Sequence, residues 1–450
     1  MADRKQADGK DIRVAVASLG CAKNLVDTEL ILGRLGEAGY VLTDQAGEAD
    51  VVIVNTCGFI QAAKEESLET VFSLAQEKGH GRCRALILAG CLAQRYGETL
   101  LRELPEVDAV VGTGEYAHWP EIIARVLAGE RVLACGPAGY LPEEGSRLVT
   151  TGPASAYLKI AEGCSHGCAF CAIPLMRGAY RSRSLESVVR EAEALVARGI
   201  RELTLIAQDT TAYGRDRYGT HKLPELLRRI ARLDGLVWLR FMYGHPAHVT
   251  EDLLATMAEE PKIVKYLDLP LQHADAGVLR RMRRGGSAEA YLALLERARA
   301  AVPDLVLRST FIVGFPGETE EAFETLLAFL RQARLDHVGF FPYSAEEGTS
   351  AARLRGRVPA EVTSDRLRRA VRVQQRISAE RQRARRGRRE LVLVEQVGRH
   401  TVQGRTAREA PEVDGRVVLR GEAPVGSFAW ARIERTTAYD AFGQLEEVLP

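Results

Sequence analysis

Three times in the first 95 residues an apolar run stops at a cysteine and gives way to a helical repeat. "IRVAVASLGC" ends at Cys21 and is followed by "LVDTELILGRLGEAG". "ADVVIVNTC" ends at Cys57 before "QAAKEESLETVFSLAQEKG", and "RALILAGC" ends at Cys91 before "LAQRYGETLLREL". Apolar strands alternating with amphipathic helices predict a parallel, doubly wound α/β sheet. In such sheets the loops leaving the C-terminal strand ends line up along one edge, where ligands bind. One cysteine at a strand end reads as a small core hydrophobe. Three at equivalent places, 36 and 34 residues apart, read as a set. Cys83 and Cys135 fall outside the pattern and are expected to be structural.

After a Gly- and Pro-containing linker, 134–153, a second α/β series begins. Its predicted strands are "AYLKIAE", "ELTLIAQ", "VWLRFMY", "VKYLDLP", "LVLRSTFIVGF" and "HVGFFPYS", with helical segments such as "SLESVVREAEALVARG" and "TEEAFETLLAFLRQARL" between them. Six repeats suggest a partial parallel (β/α)6 barrel. From Pro359 to about Arg389 the pattern is one long Arg-rich helix. It reads either as a solvated helix packing its Leu, Val and Ile stripe on the barrel or as an RNA-facing arm. Beyond it, "LVLVEQV", "HTVQGRTAR", "GRVVLRG" and "SFAWARIERT" predict a small C-terminal antiparallel β-barrel, similar in kind to an OB-fold. The expected domains are 11–130, 150–382 and 385–450.

Composition narrows this picture. A chain of 450 residues exceeds one compact core. Its 61 basic and 60 acidic residues balance, which removes any global argument for nucleic acid. The start "MADRKQADGK" lacks an apolar signal region, and no run approaches the ~20 apolar residues a bilayer span needs. A cytoplasmic, monomeric protein without membrane association is expected. Eight cysteines in such a chain read as ligands or catalytic thiols rather than disulfides.

The densest cysteine cluster is "GCSHGCAFC", a C-x3-C-x2-C run of Cys164, Cys168 and Cys171 directly after the first strand of the second series. Zinc sites normally close with four ligands in paired knuckles. Three thiolates in one loop suit instead a [4Fe–4S] cluster with one iron left open for a small molecule.

"GCSHGCAFC" resembles the signature of radical S-adenosylmethionine (SAM) enzymes. The resemblance implies that SAM chelates the open iron and is cleaved to a radical that abstracts hydrogen from an unactivated carbon. Phe170 matches the aromatic residue that lies near the adenine in that superfamily. "YLKIAEGCSHGCAFCAIPLMRGAYRSRS", "LPLQHADAGVLRRMRRG" and "FIVGFPGETEE" further resemble the radical SAM methylthiotransferase family, whose three domains occur in this order from about Arg13 to Leu449. That family implies a second [4Fe–4S] cluster on Cys21, Cys57 and Cys91, two SAM molecules, and a C-terminal TRAM domain. It also implies an electron donor of flavodoxin or ferredoxin type and a sulfur donor that the sequence does not identify. Ile312 and Gly314 would lie by SAM, as would Gln208 and Asp209. These last two stand in "AQDT", where the superfamily generally has Gly-Gly-Glu.

"NTCGFIQAAKEES", "AQDTTAYGRDRYG" and "LPLQHAD" resemble the RimO-type branch, which acts on an aspartate of small-subunit ribosomal protein S-twelve; the other branch modifies adenosine 37 of tRNA. From Glu390 onward ten acidic residues stand against seven basic ones, which suits a basic protein partner better than phosphates. The Arg-rich helix points the other way and keeps tRNA as the alternative. A non-catalytic RNA-binding protein with structural metal sites is the alternative from another class. His245 and His273 stand near strand ends as cavity candidates or packing groups. Arg177 and Arg181 would face a carboxylate of SAM or acceptor, or form a surface pair. Gly314, Pro316 and Gly317 would admit SAM or simply make a tight turn.

Overall fold

The computed structural model describes residues 11–449. The stretch "MADRKQADGK", expected to carry no signal segment, lies outside them, as does Pro450. No helix among the described residues is long and apolar enough to cross a membrane.

The chain packs as two compact units. The first holds the chain up to Thr150 with Ala161–Arg183 and Glu346–Thr349. The second holds Thr151–Ile160, Ser184–Ala345 and the chain from Ser350 on.

In the first unit the run before Cys21 forms β1 (Arg13–Ser18). Five strands join it: β2 (Val41–Thr43), β3 (Val51–Thr56), β4 (Ala85–Gly90), β5 (Ala109–Val111) and β6 (Val132–Ala134). They lie in the order β2-β1-β3-β4-β5-β6, with every neighbour parallel. β3 and β4 are buried along their whole length. Alternate residues feed two cores: Val51, Ile53 and Ile87 pack with Trp119, while Val52, Val54, Leu86 and Leu88 pack on the other face. Burial on both faces is why these strands read as continuous apolar runs. Among the additional strands β2, β5 and β6 are three residues each, too short to stand out as periodic runs.

The second unit opens with β7 (Ser155–Lys159). The chain then gives the first unit a small antiparallel hairpin, β8 (Ala161–Glu162) and β9 (Arg181–Ser182). Back in the second unit follow β10 (Glu202–Ile206), β11 (Trp238–Phe241), β12 (Tyr266–Asp268), β13 (Val306–Val313) and β14 (His337–Pro342). β7, β10 and β11 pair in parallel, as do β12, β13 and β14. A parallel bridge between Leu239 and Ile263 links the two sets. All six predicted strands are present, in chain order, as a partial (β/α)6 barrel. Its helices start on side-chain caps: Ser184, Thr250, Ser287 and Thr319 each accept a hydrogen bond from the backbone N–H three residues on.

The Arg-rich segment is the helix Ala360–Arg383. Its inward face is not the expected Leu, Val and Ile stripe: it buries Arg366, Ala370, Gln374, Ile377, Ser378 and Gln382, and Val371 is exposed. The reason is polar: Gln374 donates to the Leu335 carbonyl (2.8 Å), Ser378 to the Asp336 carbonyl (2.9 Å), and Arg366 to Glu318 (2.8 Å).

The C-terminal barrel has five strands rather than four: β15 (Arg389–Val397), β16 (Thr401–Thr406), β17 (Val417–Arg420), β18 (Phe428–Thr436) and β19 (Ala441–Val448). They close in the order β15-β16-β17-β19-β18. All pairs are antiparallel except β17–β19, which is parallel. Closure requires this, because the last strand returns to fill the gap between β17 and β18.

This barrel covers the N-terminal ends of the (β/α)6 strands. Glu202, the first residue of β10, receives Arg405 at 2.6 Å. Trp238, first in β11, meets Phe428 edge-on with ring centres 4.7 Å apart. Tyr266, first in β12, donates to Asp414 at 2.6 Å, and His337, first in β14, bonds the Arg408 carbonyl at 2.9 Å.

Candidate functional site

β1, β3 and β4 are neighbours in the sheet, in register at Ser18–Asn55 and Asn55–Ala89. Their C-terminal ends therefore lie side by side. Cys21 follows β1 and opens the helix Ala22–Glu37; Cys57 follows β3; Cys91 follows β4 and begins the helix Cys91–Glu103. Glycines make the approach possible. Gly20 has φ +90°, and a Cβ there would stand 2.7 Å from the Cys57 Cβ. Gly90 has φ +95°, and a Cβ there would stand 2.4 Å from Asn55 Oδ1.

Burial pushes the Cys57 thiol up, and the nearby Cys21 adds to the effect. Burial pushes Cys91 up to about 12 against the opposing charge of Arg177. As free groups these two therefore favour the protonated thiol.

Cys164, Cys168 and Cys171 occupy the β8–β9 loop, all half-buried. The Cys164 N–H donates to the Gly178 carbonyl (3.1 Å) and the Cys171 N–H to that of Cys168 (3.2 Å). The short helix Ile173–Arg177 follows, and Ala172 and Met176 pack against Cys91. Thr113 anchors it by donating to the Met176 carbonyl at 2.6 Å.

That helix ends on Arg177, whose side chain is 3% exposed. Its Nε donates to Cys91 Sγ at 3.2 Å. Nη1 donates to Asp27 and, at 3.2 Å, to Glu162; Nη2 donates to Asn24 Oδ1 at 3.1 Å. Arg177 is thus no surface residue, and the carboxylates it faces are the chain's own. Arg181, half-buried, donates to the carbonyls of Ala179 (3.0 Å) and Arg177 (3.2 Å).

Three thiols converging at strand ends, with a buried guanidinium on one of them, fit an iron–sulfur cluster: thiolate donors, and a cation to offset the negative charge of the ligated group. Asn24, Asp27, Asn55, Glu162 and Ser67 escaped the sequence reading. Ser67 Oγ accepts from the Cys57 N–H at 3.1 Å. Only packing reveals them: the helix Ala22–Glu37 buries Lys23, Asn24, Asp27, Thr28 and Glu29 where an ordinary amphipathic helix would bury apolar side chains.

The other predicted residues are distributed as follows. Phe170 is half-buried in the cysteine loop of the first unit. In the second unit Gln208 and Asp209 follow the C-terminal end of β10. Asp209 is buried; its Oδ1 accepts from Thr211 Oγ1 (2.6 Å) and the Ala212 N–H (3.1 Å), and its Oδ2 from His248 Nδ1 (2.9 Å). His245 is half-buried and accepts from the Ala247 N–H (3.3 Å). His273 does not line an open cavity: it is fully buried, accepts from the Asp275 N–H (3.0 Å), and lies 3.5 Å from Glu318. Ile312 is half-buried in β13. Gly314 has φ +73°, and a Cβ there would stand 2.3 Å from Thr363 Oγ1; Gly317 has φ +84° and lies against the Arg281 guanidinium. Close packing and a positive φ each favour glycine at both positions. Cys83 is buried in the core, and burial pushes Cys135 up to about 11. A groove of about 970 Å³ runs past Cys135, Tyr96 and Leu175 but contains none of the predicted site residues.

Family models match in the expected order: "Uncharacterized protein family UPF0004" at residues 13–112, "Radical SAM superfamily" at 158–330 and "TRAM domain" at 387–445. "Ribosomal protein uS12 methylthiotransferase RimO" of Symbiobacterium thermophilum is 48% identical over 452 aligned residues, covering 99% of this chain and 93% of that protein. The protein of the same name from Moorella thermoacetica is 50% identical over 437 residues, covering 97% and 100%. The chain belongs to the RimO family.

RimO membership and the radical SAM match imply a [4Fe–4S] cluster and SAM, consistent with the three thiols of the β8–β9 loop. Among solved structures, the radical SAM methyltransferase TsrM from Kitasatospora setae aligns with a TM-score of 0.54 at 14% identity, over 74% of this chain and 72% of that one. At that identity the likeness is one of fold.

Proposed function

We propose that this chain replaces a hydrogen on the β-carbon of an aspartate in ribosomal protein uS12 with a methylthio group, using two [4Fe–4S] clusters and two SAM molecules. The observation that carries the reading is that three thiols stand at neighbouring strand ends and that Arg177, from the loop of the other three, bonds one of them, Cys91. Cys164, Cys168 and Cys171 would hold the cluster that binds SAM, and Cys21, Cys57 and Cys91 the second. Bound there, the clusters would supply the electron that cleaves one SAM and a carrier for the sulfur that the other SAM methylates.

The protein's own part is positional. Gly20 and Gly90 let three strand ends approach, and Arg177 offsets buried negative charge at Cys91. Asp209, held by Thr211, Ala212 and His248, fixes the turn that carries Gln208 at the C-terminal end of β10. Phe170, Gln208, Asp209, Ile312 and Gly314 are proposed on the SAM side. The functional division is 11–130 for the second cluster, 150–382 for the radical SAM core and 385–450 for TRAM.

For the acceptor, charge favours a protein. Of the basic side chains at the C-terminal barrel, Arg405 pairs with Glu202 and Glu395, Arg385 with Glu409 and Glu390, and Arg408 with Asp336. Arg420 and Arg432 pair with Glu434 and Glu446. Cations already committed to carboxylates are poor phosphate ligands, whereas an acidic surface suits a basic ribosomal protein. Modification of adenosine 37 of tRNA is the second reading, resting on the exposed Arg368, Arg372, Arg376 and Arg383 of the helix Ala360–Arg383. The reading further expects a cytoplasmic monomer served by a flavodoxin- or ferredoxin-type electron donor and by a sulfur donor of unspecified kind.

The test is anaerobic reconstitution with iron, sulfide, SAM and a chemical reductant, offered a uS12-derived peptide and a tRNA anticodon stem-loop together. The expected product is the peptide heavier by one methylthio group in place of hydrogen. Modification of the RNA alone overturns the proposal.

A further inference from the structure

We infer that Arg177 sets the reduction potential of the cluster held by Cys21, Cys57 and Cys91, through the hydrogen bond from its Nε to Cys91 Sγ. The inference rests on the two-cluster reading above. A guanidinium stays charged at any pH a protein survives, so this donor is permanent. Its direction is set as well. Asp27 and Glu162 hold Nη1, and Asn24 holds Nη2. Asn24 is itself fastened, donating to the carbonyls of Leu19 (2.7 Å) and Asn55 (3.0 Å). Asn55 answers by donating to the Asn24 carbonyl (3.0 Å) and to Thr28 Oγ1 (2.9 Å). The fork therefore cannot swing away from the sulfur without breaking a buried polar network.

A hydrogen bond to a ligating sulfur draws electron density from the cluster and favours the form carrying one more electron. In a buried, low-dielectric setting the effect is stronger than at the surface. The donor meets Cys91, the most deeply buried of the three ligands. The guanidinium's charge alone does not explain the arrangement, because Asp27 and Glu162 already outnumber it two to one. What it adds is a directed N–H.

The experiment separates the hydrogen bond from net charge. In the full chain, Cys164, Cys168 and Cys171 are all replaced by Ala, so that only the strand-end thiols can hold a cluster. The one-electron midpoint is then measured by dithionite titration followed by electron paramagnetic resonance. Asp27→Asn retains the donor and removes one negative charge, and its midpoint should move positive. Arg177→Met combined with Asp27→Asn restores the parental balance of ionised groups but removes the donor. Its midpoint should fall below that of the parent. Arg177→Leu combined with Glu162→Gln, which keeps the same balance of ionised groups without the donor, replaces the double variant if that one does not fold, and it too should fall below the parent. A midpoint equal to the parent's in the folded donor-less variant overturns the role of Arg177 while leaving the two-cluster reading intact. Failure of the parent to bind any cluster overturns that reading, and the inference with it.

Discussion

Arg177, six residues past the last cysteine of the C-x3-C-x2-C run, donates its Nε to the Sγ of Cys91, 86 residues earlier in the chain. The loop that carries one set of thiols thus reaches a thiol of the other set through one buried side chain. No spacing within either set of cysteines announces this bond.

Replacing Cys57 with Ala removes one of three strand-end ligands. Methylthio transfer to the uS12 peptide should vanish, while reductive cleavage of SAM to 5′-deoxyadenosine persists and bound iron falls to about half. Retention of full transfer activity would refute the ligand role.

Gly20→Ala tests the packing that brings Cys21 to Cys57. A Cβ at φ +90° is strained whatever the space, and here it also meets the Cys57 Cβ at 2.7 Å. The expected cost is roughly 1–3 kcal/mol, read as a lower melting temperature. Iron bound by the strand-end thiols should fall with it, and cleavage of SAM should be less affected than transfer.

Glu202→Gln addresses the joint between the (β/α)6 barrel and the C-terminal barrel. Glu202 is fully buried between Arg405 and Arg240. Its neutralisation leaves two buried guanidinium groups without their shared charge, at a cost of roughly 3–5 kcal/mol. Thermal unfolding should shift down by several degrees or more. A melt indistinguishable from the parent would show that the pair contributes nothing to docking.

Acid should loosen the same joint and the C-terminal barrel itself. Burial alone would raise Glu202, but Arg405 and Arg240 outweigh it and hold the carboxyl at about 2. Burial likewise opposes, and Arg385 with Thr406 overcomes, in holding Glu409 at about 2. Both are depressed below the unfolded value of 4.5. Their stabilisation, on the order of 3 kcal/mol each, is therefore complete above about pH 5 and is lost as pH falls toward about 2. Melting temperature followed across that window should drop steeply for the parent. For Glu409→Gln it should start lower at neutral pH and drop less.

Gly314→Ala distinguishes the two readings of "VGFPGET". The new Cβ would stand 2.3 Å from Thr363 Oγ1. Adding Thr363→Ala frees that space, so the double variant should recover part of the stability lost by the single one, the remainder reflecting the positive φ. If SAM affinity, measured by equilibrium dialysis, falls equally in both while melting stays unchanged, the glycine serves the cofactor instead.

The parallel sheet, the six-strand partial barrel and the strand-end and loop positions of six cysteines were legible from residue order because they depend on local periodicity and on motif spacing. Runs such as "VVIVNT" and "ALILAG" announce strands buried on both faces, and a cysteine after each is visible without coordinates. The polar lining was not. Asn24, Asp27, Glu162 and Arg177 come from a helix, a two-residue strand and a loop helix, and no spacing in the chain marks them as partners. Nor did the Arg-rich helix reveal that its inward face is Arg366, Gln374 and Ser378, or that a fifth strand enters the last barrel in parallel with β17. Such pairings join segments tens to hundreds of residues apart, and a charged or amide side chain looks the same in sequence whether it meets water or a buried partner. Periodicity reports which face of an element avoids water; only packing in three dimensions decides which polar groups must go inside together, because each one buried needs a partner within hydrogen-bond reach.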